Sequence, residues 1–237
     1  MRNLRSYKII DHVKARKHCS LEELKAAFGV STATIYRDVA ALVARGALQR
    51  VRGGVAALEK PSGAAVASGG YLDRLSWNSA GKERIARKAL SLVAEGDILF
   101  LDSSTTVAAL SKLLSAQTFS ALTVITNSIA IIQDFGKFPS HWVRIALGGS
   151  YDAQLNSLLG QETFRQLDRL TITKAFVSAY GIDDRNVTTN HENQAALLMR
   201  VFEKTSQKFL LADRSKFGRT GLHRLATRAA FDEIVSD

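Results

Sequence analysis

The amino-acid sequence predicts two domains of different class: a small helical module closed by a β-hairpin, then a larger α/β domain with a mostly parallel sheet. Three observations carry this. Apolar residues recur at helical spacing as far as Val43, then give way to an alternating stretch around Gly53-Gly54. A stretch rich in Ala, Gly and Ser follows, with Pro61 and Ser68-Gly69-Gly70, and has the composition of a linker. Beyond it, short apolar runs alternate with helical ones, as strands joined by crossover helices do. The expected boundaries are 1–57 for the first domain, 58–80 for the linker and 81–237 for the second. A chain of 237 residues is long enough for two domains and a sizeable core.

Leu4, Tyr7, Ile10 and Val13 mark a first amphipathic helix, with Arg5, Lys8, Lys14 and Arg16 between them. Ser20-Leu21-Glu22-Glu23 has the form of a capping box, so a second helix starts there and buries Leu21, Leu24 and Phe28. Gly29, which tolerates positive φ, ends it in a tight turn. Ser31 or Thr32 caps a third helix with the stripe Ile35, Val39, Leu42 and Val43, ending at Gly46. Residues 48–56 then form a hairpin on the Gly53-Gly54 pair, directly behind the third helix.

This order is that of a winged helix-turn-helix, and the charge agrees with a DNA partner. Residues 1–60 hold 12 Lys and Arg against 5 Asp and Glu, whereas the rest holds 20 against 17, so the excess behind the net charge of +10 is N-terminal. Such a cluster seeks phosphate, because each Lys or Arg that reaches a phosphate releases condensed counterions. A solvated basic surface is the alternative that charge alone leaves open. The segment running from Ser31 to Arg45 is the expected recognition helix, since such helices read base edges mainly with their N-terminal residues. Arg37 has the geometry for guanine, and the hydroxyls of Thr32, Thr34 and Tyr36 suit phosphates or base edges. Arg50 and Arg52 lie on the wing.

In the second domain, helical periodicity returns from Lys82 to Val93 through Ile85, Ala89 and Leu92. Five apolar runs then end in polar tips. Ile98 to Leu101 leads into Asp102, Ser103, Ser104, Thr105 and Thr106; Val124-Ile125 into Thr126 and Asn127; Val143 to Leu147 into Gly148 and Gly149. Ala175 to Val177 leads into Ser178 to Gly181, and Phe209 to Leu211 into Asp213 to Lys216. In a parallel sheet these tips share one edge, where ligands of open α/β sheets bind. Residues 102–106 offer four hydroxyls and backbone N–H groups before a helix starting near Val107, which suits a phosphate; helix capping alone would use one hydroxyl. Lys216 adds positive charge, and Asp102, Asn127 and the Gly148-Gly149 backbone are placed to bond sugar hydroxyls.

The segment from Phe28 to Val39 followed by 46–54 resembles the N-terminal signature of the DeoR family of bacterial transcriptional regulators. Residues 96–106, 124–128, 147–149, 181–183 and 211–218 occur in that family's order, so the resemblance covers nearly the whole chain. It implies a second domain similar in fold to ribose-5-phosphate isomerase, sensing a phosphorylated sugar, with a DNA operator as partner and repression of carbohydrate genes as the output. The family usually has a second arginine at Tyr36 and a histidine at Arg52, so the operator sequence does not carry over. Tyr180, Leu198 and residues 188–194 also depart from the family pattern, and they bear on which effector is bound.

The competing reading is a sugar-phosphate isomerase-like enzyme fused to a DNA-binding module. Such an enzyme needs a positioned base near the substrate carbons; Asp102, Asp183 and Glu192 are available, but the isomerase-like acidic cluster and Gly-rich Lys loop are absent. There is no Gly-x-Gly-x-x-Gly fingerprint, P-loop or nucleophile elbow. The five histidines have no paired spacing and Cys19 is the lone cysteine, so no catalytic residue, metal, cofactor or disulfide is expected. A purely architectural DNA-binding protein would explain the charge but not the converging polar tips. The basic N-terminus runs into a charged amphipathic pattern in place of a signal peptide, and no long apolar run exists, so a cytoplasmic protein without a membrane partner is expected. Helix-turn-helix proteins read repeated half-sites, which makes a homo-oligomer the expected assembly.

Overall fold

The structure is a computed structural model that describes residues 2–44, 48–51, 53–57 and 70–237. Two compact units divide between residues 66 and 67.

The first unit runs α1 (Arg2–Arg16), β1 (His18–Ser20), α2 (Leu21–Phe28), α3 (Thr32–Ala44), β2 (Leu48–Val51) and β3 (Gly54–Ala57). Ile9, Val13, Leu24, Ile35, Val39, Leu42, Leu48 and Val55 enclose its core. On α1 it is Ile9 that is fully buried while Ile10 is half-buried, one position off the expected stripe. The capping box is complete: Glu23 N–H donates to Ser20 Oγ at 3.1 Å, and Ser20 N–H donates to Glu23 Oε2 at 2.7 Å. These bonds hold the Glu23 carboxyl below its ordinary range. Gly29 ends α2 at φ 60°, its N–H donating to Lys25 O, and reverses the chain into α3.

Two features of the hairpin differ from expectation. Val51 pairs with Gly54, so Gly54 already belongs to β3 and not to the turn. Strand β1 pairs antiparallel with β3, giving the order β1-β3-β2 and burying Cys19 completely. Three residues are too few to show alternation, and β1 is therefore silent in the sequence.

The second unit contains α4 (Tyr71–Ser76), α5 (Ser79–Leu90), β4 (Ile98–Leu101), α6 (Thr105–Leu114), β5 (Thr123–Thr126), α7 (Ile129–Gln133), β6 (Val143–Ala146), the hairpin β7 (Ser150–Asp152) and β8 (Ser157–Leu159), α8 (Gln161–Leu167) and β9 (Ile172–Val177). Then come β10 (Gly181–Ile182), β11 (Asn186–Thr189), α9 (Glu192–Glu203), β12 (Thr205–Leu211), β13 (His223–Thr227) and β14 (Glu233–Val235). A six-stranded sheet has the order β14-β12-β9-β4-β5-β6, and every pairing in it is parallel. The five apolar runs read as strands are β4, β5, β6, β9 and β12. Both faces are covered: Leu99, Leu101, Val124, Phe176 and Leu211 pack with α5 and α6, while Phe100, Ile125, Ala175, Val177 and Leu210 pack with α8 and α9. Burial on both faces is why β4, β5 and β9 read as unbroken apolar runs, whereas the edge strand β6 is largely exposed.

The linker expected over 58–80 is corrected at its C-terminal end. Residues 70–80 carry α4 and the start of α5, and Tyr71 is buried, 5% exposed. The small residues around α4 gave this segment a linker's composition, but a single aromatic anchors it to the second unit.

Candidate functional site

On the first unit, α3 buries Ile35, Val39 and Leu42 and turns Ser31, Thr32, Ala33, Tyr36, Arg37, Ala40 and Ala41 outward. Ser31 is the cap: Thr34 N–H donates to its Oγ at 3.3 Å, and the two hydroxyl oxygens lie 2.9 Å apart. Thr34 is thus half-buried and partly engaged in capping, while Thr32 is exposed. Tyr36 is 47% exposed, and the Arg50 guanidinium lies 5.2 Å from its ring centroid, a cation–π contact that joins β2 to the recognition face. Among the described residues Arg37 bonds only its own helix, Nε donating to Ala33 O at 3.2 Å. The Arg5–Asp38 ion pair, 2.6 Å long, fixes α3 against α1. Arg45 and Arg52 lie outside the described residues.

On the second unit, strand order locates a crevice. From β4 the chain steps outward to β5 and β6; from β9 it steps the opposite way to β12 and β14. The loops after β4 and β9 therefore diverge and leave an opening between them, the topological switch point of an open α/β sheet. The register aligns Leu101 with Thr126 and Phe176, and Val177 with Leu210, so the polar residues beyond them emerge at one level.

Asp102 sits in this crevice, 2% exposed. Its Oδ1 accepts from Ser104 N–H and its Oδ2 from Ser178 N–H, both at 2.8 Å, tying together the two diverging loops. Burial pushes its carboxyl up to about 6, against the opposing pull of the Ser104 and Ser178 bonds and the Arg74 charge. Ser104 caps α6 through Val107 N–H, and Ser103, Thr105 and Thr106 are buried beside it. Asn127, 2% exposed at the end of β5, donates from Nδ2 to Leu158 O, and its buried Oδ1 has no partner.

Three cations surround the crevice without an acidic partner within 4 Å, among the described residues: Arg74 of α4, Lys82 of α5, and Lys216 in the 3-10 turn after β12. Arg74 Nη2 donates to Gln154 O at 3.2 Å in the β7–β8 turn, while its buried Nε is unpartnered. The charges of Asp102 and Asp152 act on it, and burial lowers its pKa. Burial also brings Lys82 down to about 8, partly offset by Asp213, and lowers Lys216, where Asp213 opposes the shift and Arg74 and Arg219 add to it as like charges. Lys82 Nζ donates to Arg74 O.

The expected residues do not all converge. Residues 102–106, Asn127 and Lys216 lie at the common edge. Thr126 does not face it: its hydroxyl donates to Leu101 O at 2.6 Å and accepts from Ser128 N–H, a closed structural role. Gly148 is likewise engaged, its N–H donating to Gln166 Oε1 and its carbonyl accepting from Thr163 Oγ1. Gly149 has φ 147°, and a Cβ there would meet Thr163 Oγ1 at 2.3 Å, so glycine is required by packing. Arg74 and Lys82 were missed as site residues. The pattern Tyr71-Leu72-Asp73-Arg74-Leu75 behind Gly70, with an acid in the first turn, was the available signal for a helix at Arg74.

Among the described residues no group of His, Cys, Asp and Glu is arranged to hold a metal, and no helix is long and apolar enough to cross a membrane.

The chain matches the family described as the DeoR-like helix-turn-helix domain over residues 5–61, and that described as the DeoR C terminal sensor domain over 77–237. It is 31% identical to the HTH-type transcriptional repressor GlcR of Bacillus subtilis, over 97% of this chain and 86% of that protein. It is 32% identical to the L-fucose operon activator of Haemophilus influenzae, over 99% and 92%. Among solved structures, ribose 5-phosphate isomerase A of Methanocaldococcus jannaschii aligns with 59% of this chain and 55% of its own, at 18% identity and TM-score 0.40.

Proposed function

Because this chain belongs to the DeoR family of transcriptional regulators, we propose that a phosphorylated sugar bound at its strand-end crevice controls the affinity of its helix-turn-helix for a carbohydrate-gene operator. DNA-binding regulation, not enzyme catalysis, is the family's activity. The observation that carries the proposal is the set of cations at the switch point: Arg74, Lys82 and Lys216 are desolvated there and, among the described residues, none forms an ion pair, Asp102 and Asp213 acting on them only at longer range, an arrangement that an anion completes. Ser103, Ser104, Thr105 and Thr106 at the start of α6 supply hydroxyls and N–H groups for phosphate oxygens, with Asn127 and Asp102 beside them for sugar hydroxyls. On the DNA side, Thr32, Tyr36, Arg37 and Arg50 are the reading and clamping residues, with Ser31 and Thr34 shaping the helix start.

Binding at one site alters affinity at the other only if the ligand discriminates between two states of the protein. Repression relieved by effector is the sign proposed; the Bacillus subtilis relative is named a repressor and the Haemophilus influenzae relative an activator. A homo-oligomer in the cytoplasm, reading repeated half-sites, completes the reading.

The test is a thermal-shift screen of phosphorylated pentoses and hexoses, since a ligand bound only by the folded state raises its stability. The shift is expected with phosphorylated sugars and not with their unphosphorylated forms, and Thr105→Val reduces it. A screen in which no phosphorylated sugar stabilises the protein refutes the proposal. For the DNA half, Arg37→Ala is expected to cost roughly 1–3 kcal/mol of affinity for a selected duplex while leaving the thermal shift intact.

A further inference from the structure

Arg74 differs from the other cations of the crevice in what it is attached to. Lys82 lies within α5, a helix of 12 residues packed along the sheet, and Lys216 on a turn that Asp213 caps through Ser215 N–H. Arg74 lies on α4, a six-residue helix whose N-terminus continues directly into residues 58–69, the segment that leads to the DNA-binding unit. Its main chain is anchored: the Arg74 carbonyl accepts from Trp77 N–H at 3.2 Å and from Lys82 Nζ. Its side chain is not. Among the described residues one bond, to Gln154 O in the β7–β8 turn, holds a guanidinium that has five N–H donors, and the buried Nε has no partner. A buried donor without a partner costs free energy that an acceptor recovers. Asp102, whose charge acts on Arg74, forms neither a hydrogen bond nor an ion pair with it among the described residues.

Resting on the sugar-phosphate reading above, we propose that Arg74 is the coupling residue of the sensor: the effector's phosphate takes up the free guanidinium nitrogens, and the α4 helix thereby reports occupancy of the crevice to the chain that leads to the DNA-binding unit. A planar guanidinium suits this role better than an ammonium, since it bonds two phosphate oxygens at once and so fixes the orientation of the helix that bears it as well as its distance. The same contact explains why a short helix of low intrinsic stability begins this unit. Six residues do not hold a helix by themselves, so α4 depends on its side-chain contacts and responds when one of them changes.

The chain carries its own reporter. It has two tryptophans, and Trp77 caps the C-terminus of α4, three residues from Arg74, while Trp142 is buried elsewhere with its Nε1 donating to Phe119 O at 2.8 Å. The experiment titrates the full chain with inorganic phosphate and with glucose 6-phosphate, following melting temperature and tryptophan emission together, and uses Trp77→Phe to assign the emission change to Trp77. In the wild type both signals are expected to move; in Arg74→Gln the affinity falls at least about tenfold and the Trp77 response at saturation is lost. Arg74→Lys, which keeps the charge but not the two-pronged contact, retains the melting shift and gives a diminished Trp77 response, and it decides the matter if Arg74→Gln folds poorly. A full-amplitude Trp77 response in either variant overturns the coupling role while leaving the sensor reading standing. A wild type that neither phosphate nor a phosphorylated sugar stabilises removes both.

Discussion

The two edges of the central sheet are built from the same kinds of residue and handle them in opposite ways. At the N-terminal edge, Lys174 donates to Asp97 Oδ2 at 2.8 Å and to Leu92 O at 2.9 Å. Asp97 also accepts from Ala94 N–H and Thr173 Oγ1, and Thr173 Oγ1 accepts from Ile98 N–H. Both charges of this Lys174–Asp97 pair are partnered. At the C-terminal edge Arg74 and Lys216 are also desolvated, but neither pairs with an acid, and Arg74 Nε and Asn127 Oδ1 have no partner at all. Native interiors satisfy nearly all buried polar groups, so such exceptions are what the proposed ligand site rests on. The difference separates a polar network that holds the sheet together from one that, on the reading proposed above, an anion completes.

The comparison breaks most readily at its satisfied edge. Lys174→Met strands the Asp97 carboxylate in the interior and is expected to cost about 3–5 kcal/mol of sensor stability by chemical denaturation; a loss below about 1 kcal/mol would make the two edges equivalent. Next comes the pH dependence set by Asp102. Its folded pKa, about 6, lies above the ordinary 3.8, so the stability it contributes is fully present below pH 4 and is lost as pH rises through 6. Wild type measured against Asp102→Asn is therefore expected to lose on the order of 2 kcal/mol between pH 4 and 7, and a flat difference would refute the buried carboxyl's role.

A smaller effect sharpens the contrast from the other side. Lys216→Ala removes a desolvated, unpaired cation, so ligand-free stability should change by less than about 0.5 kcal/mol, while the thermal shift produced by a phosphorylated sugar falls by more than half. A large loss of ligand-free stability would place Lys216 with Lys174 as a structural charge. Ser20→Ala, in the other unit, serves as the reference: it opens the capping box of α2 and should cost about 1 kcal/mol, confined to the melting of the first unit.

The first unit was nearly legible residue by residue. The capping box at Ser20, the stop at Gly29, the stripe Ile35, Val39 and Leu42 and the hairpin after Leu48 depend on neighbours within a few positions, and the fold keeps them. What escaped there needed contacts at longer range: β1 against β3, and Arg50 over the Tyr36 ring. In the second unit the strands were legible but their polar tips were not equally useful. Asp102 and Lys216 reach the crevice, whereas the hydroxyl of Thr126 and the backbone of Gly148 are consumed by Leu101, Ser128, Gln166 and Thr163, partners up to 25 positions away. Arg74 was hidden because Tyr71, the residue that anchors its helix, stands at the end of a stretch of small residues.

By itself the sequence determined the class of each domain, the helix boundaries of the DNA-binding unit and the five apolar strands, because periodicity, capping and turn chemistry act over a few residues. Only the tertiary structure decided which polar groups remain free. That is set by strand order, which opens the crevice between β4 and β9, and by a competition for hydrogen bonds that no local pattern records: Thr126 finds two partners and is spent, while Arg74 and Asn127 are left with nitrogen and oxygen atoms to offer a ligand.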